Sequence, residues 1–418
     1  MNGMEGNLRD MFELAVGEPP RWVSLDSIRR RAVRRRVTQA GVAGLAVALA
    51  VGLGATLSAY AARGGSPVTG GTKAPSGPPK YYVEQNYGKK PGSGFTVVVR
   101  ARTTGKVTSV VRDPLPRFGC GEDLAAAGTH TFFMTCGIWR KKPGSNKSTI
   151  RETRIYRFEV NNSGRATTPT LLKGATLKGF FGEHLTASPD GSQIAILVFR
   201  PNPDGNLYTN SVATGIFVIN TKTGKKVIWR TGPYVPGKIG YTDASDISFT
   251  RNGSELVLLG SLCHHSRYLS NCEPSDPREV RAFGPADRGG SLQGGQLLLR
   301  GSAFKKPRTS ISDALITPDG TALTTVTTTC PRGNFCTMTV ERIGLTTGKA
   351  PQVLYKVTDS ASPNGPYLEY FSSDPTGRFL IIQANTATTK QPVNGWIDHG
   401  RLVLLTPANA FGAGQEVW

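Results

Sequence analysis

Residues 188–198 read Ser188-Pro189-Asp190-Gly191-Ser192-Gln193-Ile194-Ala195-Ile196-Leu197-Val198, a tight turn that opens an apolar β-prone run. Proline presets φ at the first inner turn position, aspartate bonds locally, and glycine supplies the positive φ that ends the turn. The pattern returns as Thr250-Arg251-Asn252-Gly253 before Leu256-Val257-Leu258-Leu259, as Thr317-Pro318-Asp319-Gly320, and as Asp374-Pro375-Thr376-Gly377. The four glycines Gly191, Gly253, Gly320 and Gly377 are 62, 67 and 57 positions apart. A weaker copy, Ala126-Ala127-Gly128-Thr129, lies 63 positions before Gly191.

A second marker follows roughly thirty residues after most of these turns: Thr104-Gly105-Lys106, Ser163-Gly164-Arg165, Thr223-Gly224-Lys225 and Thr347-Gly348-Lys349. Each follows a strand such as Gly215–Asn220 and precedes another such as Lys226–Trp229. One unit therefore reads strand, inner turn, strand, loop, strand, outer turn, strand. Four antiparallel strands at a fixed period predict an all-β protein, a β-propeller of four-stranded blades stacked in a ring. A sandwich does not account for two turn signatures alternating in register. Residues 122–418 supply five units. Residues 81–112 supply three strands of a sixth, and Gln415-Glu416-Val417-Trp418 is expected to provide its missing innermost strand and close the ring. Six blades follow, or seven if the segment 263–300 holds a further unit.

The inner turn, the β-run and the outer turn together resemble the TolB-type and WD-repeat-like propellers of bacteria, over roughly residues 81–418. The resemblance implies a fold and says little about activity. The Gly-His and Trp-Asp dipeptides of strict WD repeats are absent, so no binding residue is carried over from that family.

Ahead of the repeats lie three further segments. Residues 37–62 are 26 uncharged positions, enough for a membrane-spanning helix, which needs about 20. They follow Arg29, Arg30, Arg31, Arg34, Arg35 and Arg36, a block that holds the N-terminal side in the cytoplasm by the positive-inside rule. The reading is a cytoplasmic basic tail (1–36), a transmembrane helix (37–62), a Gly/Pro/Ser-rich stalk (63–80) and an extracytoplasmic propeller (81–418). A cleaved signal peptide, with Ala59-Tyr60-Ala61 as the cleavage pattern, is the rival; the long n-region and apolar run argue against it. With this anchor the layout looks like single-pass membrane proteins of high-GC actinobacteria.

All six cysteines, Cys120, Cys136, Cys263, Cys272, Cys330 and Cys336, lie beyond the apolar run. An even number on an exported side suggests disulfides, and local pairing would join them in chain order. Cys263-His264-His265 with Cys272 is the competing zinc reading, with wider spacing than zinc sites normally use. No linear hydrolase elbow, phosphate loop or metalloprotease motif is present, so no catalytic, cofactor or metal residues are assigned. Asp190, Asn252 and Asp319 are read as turn residues rather than catalytic ones.

Charge is the remaining clue. The chain carries a formal net charge of +21, and residues 63–418 hold 42 basic and 24 acidic residues. A cationic domain near a membrane favours anionic partners. Lys89-Lys90, Arg140-Lys141-Lys142 and Lys305-Lys306-Pro307-Arg308 are candidate contacts. The expectation is a non-enzymatic binding module for a protein, peptide or anionic cell-envelope polymer, with no cofactor and no nucleic acid. Two alternatives stand beside it: an envelope sensor whose tail contacts a cytoplasmic regulator in the manner of an anti-sigma factor, and a hydrolase or lyase with its site at the propeller channel.

Overall fold

Every described strand belongs to one of six sheets. The computed structural model describes residues 78–418 except 88–94, 116–119, 142–147, 200–212, 231–238, 251–252, 265–277, 285–288, 301–308, 331–334, 346–349, 361–366, 375, 386–392 and 406–412. The expected tail and membrane span, nearly all of the stalk, and with them Arg29 to Arg36, lie outside the described residues.

Blade 1 contains β1 (Tyr81–Tyr87), β2 (Phe95–Ala101) and β3 (Val107–Val110). Blade 2 contains β4 (Cys120–Ala127), β5 (Thr131–Lys141), β6 (Ser148–Glu159) and β7 (Thr170–Lys178). Blade 3 contains β8 (Phe181–Ala187), β9 (Gln193–Phe199), β10 (Ala213–Asn220) and β11 (Lys226–Arg230). Blade 4 contains β12 (Ile239–Phe249), β13 (Leu256–His264), β14 (Arg278–Phe283) and β16 (Gln296–Arg300), with the two-residue β15 (Gly290–Ser291) between the last two. Blade 5 contains β17 (Thr309–Ile316), β18 (Ala322–Thr329), β19 (Phe335–Gly344) and β20 (Gln352–Ser360). Blade 6 contains β21 (Tyr367–Ser373), β22 (Leu380–Asn385), β23 (Val393–Asp398) and β24 (Arg401–Leu404).

The last strand, β25 (Ala413–Val417), joins blade 1 in the order β25-β1-β2-β3. Val83 faces Val417 and Glu84 faces Glu416 across the closing pair. The ring is thus a six-bladed β-propeller in which the C-terminal strand completes the blade begun by the first strand. That closure removes two edges that would otherwise recruit other chains.

The second strand of each blade explains the continuous apolar runs. Such a strand is covered on both faces by its neighbours, so it loses the alternation of a half-exposed strand. In β9, Ile194, Ile196 and Val198 pack with blade 2, including Phe133 and Ile155. Ala195 and Leu197 turn the other way and pack with Ile247, Phe249, Leu256 and Leu258 of blade 4. The same division recurs in β13, where Leu256 and Leu258 face blade 3 while Val257 and Leu259 face Ile311 and Leu323 of blade 5.

Blade 4 departs from the repeat. It has no Thr-Gly-Lys turn, and its third and fourth strands are joined through β15, which pairs in parallel with β11 of blade 3 as a fifth strand. Leu292, fully buried, follows it into the cluster that holds Trp229 and Phe283. The segment 263–300 therefore holds a strap between two blades, not a seventh blade.

Cys120 is joined to Cys136, its partner across the β4–β5 pair, and Cys330 to Cys336 across the mouth of the β18–β19 hairpin. Spans of 16 and 6 residues would contribute about 3 and about 2 kcal/mol by loop-closure entropy. Cys272 lies outside the described residues, so the third expected pair does too.

Candidate functional site

The strand directions sort the connections onto two faces. Inner turns (first to second strand) and outer turns (third to fourth) share one face, where β1 also begins and β25 ends. The second-to-third loops and the links between blades share the other. We call these the turn face and the loop face.

In the inner turns the first residue does more than the sequence pattern suggests. Ser188 N–H donates to the Gln193 carbonyl at 2.9 Å, and Gln193 N–H returns a bond to Ser188 Oγ at 3.0 Å. Thr250 with Glu255 and Thr317 with Ala322 repeat this exchange. Asp374 performs it with a carboxylate, accepting from Phe379 N–H at 2.8 Å. Gly191, Gly253, Gly320 and Gly377 close the turns at φ of 70°, 66°, 71° and 67°. Asp190 Oδ1 accepts from Ser188 Oγ and from Ser192 N–H. Asp319 does the same with Thr317 and Thr321, and the Thr317 hydroxyl lowers its proton affinity. Asn252 lies outside the described residues.

These turns also nest. A Cβ on Gly377 would stand 2.3 Å from Cδ of Pro318 in the preceding blade's turn, and one on Gly320 would stand 3.3 Å from Cγ2 of Thr250. The described turn residues of successive blades are therefore brought together around the channel mouth.

Inside that mouth, β4, β8, β12, β17, β21 and β25 line a central cavity of about 120 Å³. The inner strands of blades 2 to 6 carry bulges. In blades 3, 4 and 5 the residue seven positions before the turn glycine is polar: His184, Asp246 and Asp313. His184 takes φ of 53°, a left-handed conformation costly for a residue with a Cβ, and its N–H donates to Asp123 Oδ1 at 3.0 Å.

Asp246 and Asp313 form a carboxyl pair. Burial raises the proton affinity of both, and for Asp246 the neighbouring Asp313 charge adds to it. The Ala314 N–H and the charge of Arg278 act in the opposite direction on Asp246. Arg278 Nη1 donates to the carbonyls of Ile311 and Ser312 at 3.0 and 2.9 Å, which ties blade 4 to blade 5 beside the pair. A cavity of this size holds a handful of waters, well below the ~300 Å³ at which ligand pockets begin. Among the described residues no group of three or more His, Cys, Asp or Glu is placed to hold a metal.

The turn face carries charges of both signs. Its inner turns expose Asp190, Glu255 and Asp319. Its outer turns expose Lys106, Arg165 and Lys225, one from each of blades 1, 2 and 3, with Lys173 and Lys222 beside them. The inner turns of blades 3 to 5 are therefore acidic and the outer turns of blades 1 to 3 basic, while the inner turn of blade 6 exposes Arg378. Lys226 is engaged with the Thr176 carbonyl at 2.9 Å. Of the basic runs singled out in sequence, Arg140 and Lys141 end β5 on the loop face, and the rest lie outside the described residues. The rim cations were legible all along, as the third letter of the outer-turn motif. The bulge residues were legible as polar positions at a constant distance before the turn glycine.

No protein-family model matches the chain, and no curated protein matches it. Solved structures resemble it at low identity. TolB from Acinetobacter baumannii shares 13% identity over 81% of this chain and 66% of its own, with a TM-score of 0.48. Hydrazine synthase from Kuenenia stuttgartiensis shares 18% over 70% of each chain, with a TM-score of 0.38. An acylaminoacyl peptidase shares 11% over 68% of this chain and 38% of its own, with a TM-score of 0.37. This chain thus spans just under two thirds of the length of TolB.

Proposed function

We propose that this chain is a binding module outside the cell, held to a membrane by residues 37–62, whose turn-face rim takes an anionic envelope polymer. One observation supports the reading: the same turn in three successive blades presents Lys106, Arg165 and Lys225, all exposed. A polymer has repeated anions, and a rim has repeated cations. Each exposed pair contributes at most about 1 kcal/mol, so affinity comes from several contacts made together. The two disulfides are in keeping with an oxidising compartment.

The test compares two triple charge reversals that change net charge equally. One carries Lys106→Glu, Arg165→Glu and Lys225→Glu. The other carries Arg112→Glu, Lys178→Glu and Arg230→Glu, where the fourth strands β3, β7 and β11 run out at the loop face. Retention on immobilised polyphosphate and on a polyuronate is read at about 150 and about 500 mM salt, across which screening shortens markedly. Loss confined to the rim triple supports the reading. Equal loss in both would reduce binding to overall charge and overturn it.

A further inference from the structure

On the same face, away from the basic arc, a groove of about 330 Å³ opens between blades 5 and 6. Its walls come from β19, the start of β20, the inner turn before β22, and the β23–β24 hairpin. Leu354, Phe379, Leu380 and Ile397 give it an apolar lining, and Val353, 56% exposed, stands at its edge.

Two arginines, Arg342 and Arg378, line the same space, with Gln352 beside them. Arg342 reaches across the blade boundary and donates from Nη2 to the Gly377 carbonyl at 2.7 Å. Its Nε is buried with no hydrogen-bond partner among the described residues. Arg378 lies over the Phe379 ring at 5.3 Å. Among the described residues neither arginine has a carboxylate partner. Among the described residues lining the groove the one carboxylate is that of Asp398, and His399 Nδ1 stands 2.6 Å from it.

The hairpin that shapes the far wall is also unusual. His399 and Gly400 form a two-residue loop with φ of 46° and 80°, the conformation in which Asn-Gly is the ordinary choice. A histidine there is a departure from turn chemistry at the rim of a cavity. The groove is at the lower end of the ligand-pocket range, with room for a single ring or a short chain.

We propose that the groove between blades 5 and 6 is a binding site for a small amphipathic anion, a carboxylate or phosphate carried on an apolar body. The arginines hold the charged end, and Val353, Leu354, Phe379 and Ile397 cover the apolar part. This site is separate from the basic arc and does not depend on it.

The experiment titrates full-length protein in nanodiscs with benzoate, phenyl phosphate and benzyl alcohol, followed by ligand-detected saturation transfer. Benzoate or phenyl phosphate should bind, and the stronger of the two identifies the preferred anion. Benzyl alcohol should bind at least tenfold more weakly, the scale of one charge-assisted bond. Arg378→Gln is exposed and leaves the inter-blade bond in place, so it should fold normally and weaken the anion several-fold. Val353→Glu should abolish binding by filling the rim with a like charge, while His399→Asn keeps a turn-compatible residue and tests the imidazole alone. Arg342→Gln is read only where its circular dichroism matches wild type. Equal binding of benzyl alcohol and benzoate, or an Arg378→Gln affinity within twofold of wild type, would overturn the proposal.

Discussion

Removing the ring's final residue tests the closure directly. Trp418 is fully buried and packs with Tyr82 of blade 1 and with Phe379, Ile381, Trp396 and Leu405 of blade 6. Truncating a buried tryptophan to alanine costs about 3–5 kcal/mol. Its indole N–H is buried with no hydrogen-bond partner among the described residues, and relieving an unsatisfied donor returns part of that cost. Trp418→Ala should therefore lie near about 3 kcal/mol, and Trp418→Phe, which keeps most of the volume and removes the orphan donor, near about 1 kcal/mol. Deleting 413–418 also removes Val417 from the cluster with Val83, Leu124 and Phe132, and bares the edge of β1. The combined loss exceeds about 5 kcal/mol, the lower bound of a whole domain's stability. The assay is urea unfolding of the full-length protein with intact disulfides, followed by far-ultraviolet circular dichroism, with size exclusion to detect edge-to-edge association. A deletion variant with the wild-type midpoint, or a Trp418→Ala loss below about 1 kcal/mol, would refute a ring closed by its last strand.

Three further outcomes follow from named contacts. Gly377→Ala should cost about 2–4 kcal/mol, from left-handed φ plus the clash with Pro318, whereas Gly191→Ala, whose Cβ would meet only Ala127 Cβ at 3.4 Å, should cost about 1–2; equal losses in urea unfolding would mean the turns do not nest. Asp246 and Asp313 hold protons more tightly folded than unfolded, so their contribution is greatest below the unfolded carboxylate range, about pH 4, and falls as pH rises through their raised folded values. Asp246→Asn should flatten that decline across a pH series of unfolding midpoints, and an unchanged slope would remove the pair as its cause. Replacing Cys120 and Cys136 by serine should destabilise by about 3 kcal/mol, more than the same change at Cys330 and Cys336, because the closed loop is longer; the reverse order in calorimetry would contradict the entropic account.

The fold was legible because both turns obey strict local chemistry. Glycine at Gly191 and at Gly320 meets a positive φ that a side chain resists, so the period survives even where the strands between have drifted. What reads as one motif hides two roles, however. Proline and aspartate were the visible letters, while the exchange of bonds with the strand beyond comes from Ser188, Thr250, Thr317 or Asp374, four positions with three residue types. Blade 4 was harder, because Gly289-Gly290 and Leu292 stabilise a neighbour's edge and follow no repeat. The groove was invisible for a different reason. Arg342, Val353, Arg378 and His399 come from four separate segments, and no spacing rule connects them until two blades stack.

The outer-turn cations separate folding from binding in a way the inner-turn acids do not. Asp190 and Asp319 are consumed inside their own turns, so their recurrence is explained by stability. Lys106 and Lys225 contribute backbone atoms: Ala101 N–H donates to the Lys106 carbonyl and Asn220 N–H to that of Lys225, both at 2.9 Å. Arg165 does likewise with Asn161, at 3.0 Å. None of these three side chains makes a hydrogen bond or ion pair among the described residues, so any polar residue would close the turn as well. Serine at all three positions should accordingly leave stability within about 0.5 kcal/mol per site while lowering retention on an anionic polymer. The two readouts must separate. If the serine variant instead unfolds earlier in urea and binds as before, the cations belong to the turns, and their recurrence around the rim has the same local origin as that of the aspartates.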